Sequence, residues 1–128
     1  MDNQTVTLST TQIRVAYETV SRLVGTKFKP KASYWITRLH AALESEYKSS
    51  GKIIDTLILE LGVQDENGGA HIDTTNVEMV KSFNDAYEPI GSTLISISNP
   101  PMISVDAFGD DVEIEPYIFT NLSMFIKD

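Results

Sequence analysis

Side chains able to do acid–base or metal chemistry are few here and widely spaced. The two histidines, His40 and His71, stand far apart in a 128-residue chain that contains no cysteine. Disulfides and thiolate metal sites are therefore excluded. His71-Ile72-Asp73 can set two ligands on one face of a strand, but a metal site needs at least a third. Asp65 and Asn67, in Asp65-Glu66-Asn67-Gly68-Gly69, superficially suggest a calcium loop. The EF-hand pattern requires further oxygen ligands and a glutamate at its twelfth position, and that glutamate is missing here. The sequence has no Gly-x-Ser-x-Gly elbow, no P-loop and no Gly-x-Gly-x-x-Gly run. Glu46 projects into an otherwise apolar helical face, yet a catalytic carboxylate needs a partner at a defined distance and the sequence names none. The expectation is a protein without catalytic residues, cofactor, metal or small-molecule substrate.

Charge is the stronger signal. The net charge is −8, but it is unevenly spread. Residues 1–62 hold eight Lys/Arg against six Asp/Glu, a net of +2, whereas residues 63–128 hold two against twelve, a net of −10. Such segregation bears on partners and solubility. An acidic half argues against direct nucleic-acid binding, which needs cations to displace phosphate counterions. No run approaches the roughly 20 apolar residues that span a bilayer. MDNQTVTLST, the N-terminal segment, has neither the basic region nor the apolar run of a signal peptide. These features lead to the expectation of a chain that is neither secreted nor in contact with a membrane.

The elements that must position these groups read as one α+β domain, helix-rich, with a long amphipathic helix and a small C-terminal antiparallel β element. Within residues 1–128 the reading divides into an N-terminal arm (1–8), a helical hairpin (9–62) and an acidic α+β half (63–128). Ser9-Thr10-Thr11-Gln12 reads as a capping box, followed at helical spacing by Ile13, Ala16, Tyr17, Val20, Leu23 and Val24, with Gly25 as the stop. Pro30 opens a second helix, in which Trp35, Ile36, Leu39, Ala42, Leu43, Tyr47, Ile53, Ile54, Leu57 and Leu61 share one arc. The arc stays in phase across Ser49-Ser50-Gly51, which predicts one helix, kinked at most, ending at Gly62. Lys31, Arg38, Lys48 and Lys52 fall on a separate stripe of it, suited to an acidic partner. Asp73–Asn76 caps a third helix carrying Val77, Val80, Phe83, Ala86 and Tyr87 and closed by Pro89 and Gly91. Strands are expected at Thr93–Ser98, Met102–Val105 and Val112–Glu115, with a turn at Asp106–Asp111, then a short helix from Pro116 carrying Ile118, Leu122, Phe125 and Ile126. Asp110, Asp111, Glu113 and Glu115 form a charged set that would guard a strand edge or meet a basic partner. The core is expected to join the long helix to the first and third.

Taken in order, FKPKASYWITR leading into a long helix with LESEY, a DENGG turn, a helix carrying Phe83, and VEIEP before a helix ending LSMFI resemble a family of short tailed-bacteriophage proteins of unknown function. The interior Ser-Ser-Gly and the Pro100-Pro101 pair depart from that pattern. The resemblance implies a viral origin and supplies no catalytic residue. Two functions then stand as expectations. One is a virion structural or assembly subunit (connector, decoration or tail-associated) whose partners are other protein subunits, copies of itself among them. The other is a free effector that blocks a host protein, its acidic half imitating nucleic-acid charge. The polar segment Thr5–Leu8, which a neighbour can hold as an added strand, favours the first.

Overall fold

Ser9 ends a strand and starts a helix. The computed structural model describes residues 4–109 and 115–127. Its first strand, β1, is Thr5–Ser9, and helix α1 runs Thr10–Val24. The capping box forms as expected: Gln12 N–H donates to Ser9 Oγ at 3.1 Å, and Ser9 N–H donates to Gln12 Oε1 at 2.9 Å. The next helix, α2 (Pro30–Leu61), begins at proline, whose missing N–H is harmless in a first turn, and stays α-helical through Ser49-Ser50-Gly51. Its 32 residues extend roughly 48 Å at 1.5 Å each. Gly62 is forced by close approach: a Cβ there would lie 2.5 Å from the carbonyl oxygen of His71. That oxygen belongs to a hairpin, β2 (Val63–Gln64) against β3 (Ala70–His71), closed by the Asp65–Gly69 turn.

Helix α3 (Val77–Gly91) is capped by Asn76, whose Oδ1 accepts the Met79 N–H at 3.1 Å. Pro89 does not end it; the helix continues to Gly91, and Ser92 and Thr93 donate their hydroxyls back to the carbonyls of Glu88 and Pro89. At Gly91 a Cβ would meet Thr11 Oγ1 and the Tyr87 ring at 2.6 Å, so glycine lets the end of α3 come against the start of α1. Strand β4 (Leu94–Ser98) then pairs antiparallel with β1, with Val6 opposite Ile97 and Leu8 opposite Ile95. This corrects the expectation for Thr5–Leu8. The segment finds its strand partner within its own chain, because its apolar/polar alternation matches that of β4.

The C-terminal part departs further from the reading. Strand β5 is Ile103–Ser104, a 3-10 turn follows at Val105–Phe108, and helix α4 is Pro116–Asn121. The helix ends before Phe125; a 3-10 turn at Ser123–Phe125 leads into β6 (Ile126–Lys127), which pairs with β5 in parallel. The terminal β element is therefore parallel, and the antiparallel pairs are β1–β4 and β2–β3. Ending α4 early lets Phe125 turn inward while Ile126 pairs with Ile103. The expected strand at Val112–Glu115 falls on residues 112–114, which lie outside the described residues, and on Glu115, which precedes α4.

The core gathers Leu8, α1 residues such as Ile13 and Val20, and Ile36, Leu39 and Leu43 from the first half of α2. Ile103, Phe108, Ile118, Leu122 and Phe125 complete it. The expected third partner, α3, contributes no apolar side chain to it; its C-terminal end lies instead beside α2 around residues 49–53, beyond the buried apolar stretch of that helix. The apolar arc of α2 also divides: Leu39 and Leu43 are fully buried, Ala42 is exposed, and Ile53 is 48% exposed. Leu39→Ala is expected to cost about 2–5 kcal/mol in urea unfolding, since it opens a cavity in close-packed surroundings. Leu57→Ala, at a half-buried position, should cost clearly less; equal losses would contradict the division of α2.

Candidate protein-binding surfaces

The groups with chemical potential are used locally. His71 Nδ1 lies 2.7 Å from Asp65 Oδ1 across the β2–β3 hairpin, so its partner is Asp65 rather than Asp73. Asp73 instead accepts from the Thr75 hydroxyl at 2.6 Å and the Thr75 N–H at 3.0 Å, shaping the entry to α3. Among the described residues no three His, Asp or Glu side chains gather as a metal site would require. His40 stacks on Tyr17 with ring centroids 4.7 Å apart, and Tyr17 stacks on Tyr47 at 4.2 Å. The Arg14 guanidinium caps this column 4.1 Å above Tyr47 and donates to the Tyr47 carbonyl at 2.9 Å and to Ser50 Oγ at 2.7 Å. Sequence reasoning missed this column. Arg14 and Tyr17 are three apart, and His40 and Tyr47 seven apart, so each pair shares a helix face; spacing within one helix does not say which face of the other it meets.

All four members of the basic stripe lie exposed along α2. Lys48 pairs with Glu44 one turn away at 2.9 Å, which holds the Glu44 carboxyl below its ordinary pKa and raises that of Lys48. The Arg38 guanidinium lies over the Trp35 ring at 5.2 Å and the Tyr34 ring at 5.6 Å. Lys31 and Lys52 make no ion pair among the described residues. Of the acidic set, Asp110, Asp111 and Glu113 lie outside the described residues, while Glu115 is exposed ahead of α4. Lys29, at the head of α2, reaches Gly109, where a Cβ would lie 3.0 Å from its Nζ. The basic end of α2 thus borders the chain entering the acidic segment.

Two other features stand out as surfaces. From Gly51 through Ile90 no residue is buried, although this stretch holds the last third of α2, a hairpin and nearly all of α3. Leu59 is 51% exposed and Val77 80%. The other feature is an open groove of about 380 Å3 between α2, the end of α3 and β4, whose apolar lining is Ile53, Pro89, Ile90 and Ile95. Glu46, the carboxylate that the helical wheel placed among apolar residues, lines this groove and has no cationic partner among the described residues. It therefore sits where the apolar face is open.

The entry to α3 is expected to respond to acid. Hydrogen bonds from the Thr75 hydroxyl, then from the Thr75 amide, hold the Asp73 carboxyl below its ordinary pKa. A depressed folded-state pKa contributes stability above the unfolded value, and that contribution is lost as pH falls through the folded value. The protection factor of the Thr75 amide, its exchange relative to the intrinsic rate at each pH, should therefore fall as the Asp73 carboxyl is protonated, and Asp73→Asn should flatten that profile measured by NMR. Comparison with protein-family models, with curated proteins and with solved structures returned no match for this chain.

Proposed function

We propose that the chain is a non-enzymatic subunit of a protein assembly. In keeping with its resemblance to tailed-phage proteins, the role is that of a virion structural or assembly subunit, such as a connector, decoration or tail-associated protein. The observation that carries this reading is the open lobe formed by the last third of α2, the β2–β3 hairpin and α3, in which no residue from Gly51 through Ile90 is buried. Amphipathic helices gain most of their stability by covering an apolar face, and contiguous exposed apolar surface marks interaction sites. Here Ile53, Leu59, Val63 and Val77 remain in water. The partners are other protein subunits, and neither nucleic acid nor membrane is needed.

The charge segregation favours a second reading, the free effector. A net of −10 over residues 63–128 can stand in for nucleic-acid charge on a host protein. Mass spectrometry of purified particles of the encoding phage separates the two. The chain is expected in many copies per particle. Its absence from particles, with free protein abundant in infected cells, would contradict the virion role and support the effector.

A further inference from the structure

Among the described residues the β1–β4 ribbon has two strands, so each strand has one edge without a strand partner. Hydrogen bonds at its two ends, Asn99 N–H to the Gln4 carbonyl at 2.6 Å and Thr10 N–H to the Thr93 carbonyl at 2.9 Å, fix the phase of the ladder. By antiparallel alternation, Val6 bonds Ile97 and Leu8 bonds Ile95. The backbone N–H and C=O groups of Leu94, Ser96 and Ser98 therefore point to the free edge of β4. All three residues are exposed, Leu94 at 71%. Natural edge strands are protected by charge, proline or a bulge. Between Glu88 and Asp106 the chain has no charged residue, and Pro100-Pro101 lies beyond the strand.

We propose that this edge pairs with the same edge of a second copy, forming a continuous four-stranded sheet about a twofold axis at Ser96. The sequence of β4 is self-complementary for that arrangement. With Ser96 facing its equivalent, Leu94 faces Ser98 of the other copy, and Ile95 faces Ile97. The pairs at 96/96 and 94/98 are the hydrogen-bonded ones, which agrees with the groups free on this edge. Ile95 and Ile97 both pack toward the core, so the new apolar pair extends the existing inner face. The open groove lies beside β4 and no residue of β1 lines it, so an added strand at this edge covers Ile53, Pro89 and Ile90. This is what selects β4 over the equally uncharged β1. The net charge of −8 opposes association of copies as a whole, and the stretch from Pro89 to Val105 adds no charge to that repulsion at the contact itself. The contact is small, so the dimer forms reversibly with concentration. It goes beyond the assembly reading: the pairing rests on the backbone of β4, and of the lobe it touches only the margin at Ile53, Pro89 and Ile90.

Analytical ultracentrifugation of the full chain across a roughly hundredfold concentration range tests the proposal. Wild type is expected to shift from monomer to dimer. Ser96→Pro removes a donor that β1 does not use, and Ser96→Lys places a charge at the axis; both are expected to remain monomeric with an unchanged circular dichroism spectrum. If neither variant folds, amide exchange of wild type decides: Leu94, Ser96 and Ser98 should slow selectively as concentration rises. A monomer at every concentration would overturn the proposal. So would a dimer that survives both Ser96 substitutions, or one lost in Thr7→Pro or Val77→Asp instead, which would place the contact on β1 or on the lobe.

Discussion

The seam between α1 and the first half of α2 is the constraint on which the remainder of the structure rests. Ile13, Ala16, Val20 and Leu23 from one helix share a core with Ala32, Ile36, Leu39 and Leu43 from the other. On the outer side of that seam the column of His40, Tyr17, Tyr47 and Arg14 ties the helices together, each aromatic pair contributing about 0.5–1.5 kcal/mol beyond area burial. Arg14 donates through Nη1 to the Tyr47 carbonyl and Ser50 Oγ, and it forms no ion pair with a carboxylate among the described residues. Those contacts fix where α1 crosses α2. The position of β1, and therefore of β4, follows through Ser9, which is at once strand end and helix cap.

Much of this was legible from local rules. The Ser9–Gln12 capping box, Pro30 as helix opener, Asn76 as cap, and the long helix ending at Gly62 are decided by groups a few residues apart. Ser49-Ser50-Gly51 looked like a weak point and is instead the socket for Arg14, which no local pattern reveals. The apolar arc of α2 was read at the right phase, but a helical wheel cannot tell where along a helix its cover stops. Leu43 is sealed while Ile53, on the same arc, is half in water. Likewise the β1–β4 pairing joins segments nearly ninety residues apart, and only the matching alternation of TVTLS and LISIS hinted at it. The expected core partner α3 is absent from the buried cluster, whereas Phe108, Ile118 and Phe125 belong to it, residues whose convergence depends on turns outside any periodic pattern.

The site candidates divide along the same line. Charge and spacing placed Lys31, Arg38, Lys48 and Lys52 correctly along one helix, but Lys48 and Arg38 are engaged by neighbours on that helix. The surfaces that now carry the functional reading, the open lobe and the uncharged β4 edge, emerge only once burial is known. A closed base thus presents an open extension, and the proposed assembly role would use that extension as the surface a partner covers.

Native-state hydrogen exchange on the free chain tests this division most directly, because it reports stability segment by segment. Amides of α1 and of α2 before Ser50 are expected to exchange only through global unfolding, whereas those of α2 after Gly51 and of α3 should exchange through a smaller opening with a shallower denaturant dependence. A single common opening energy across both halves of α2 would contradict the account.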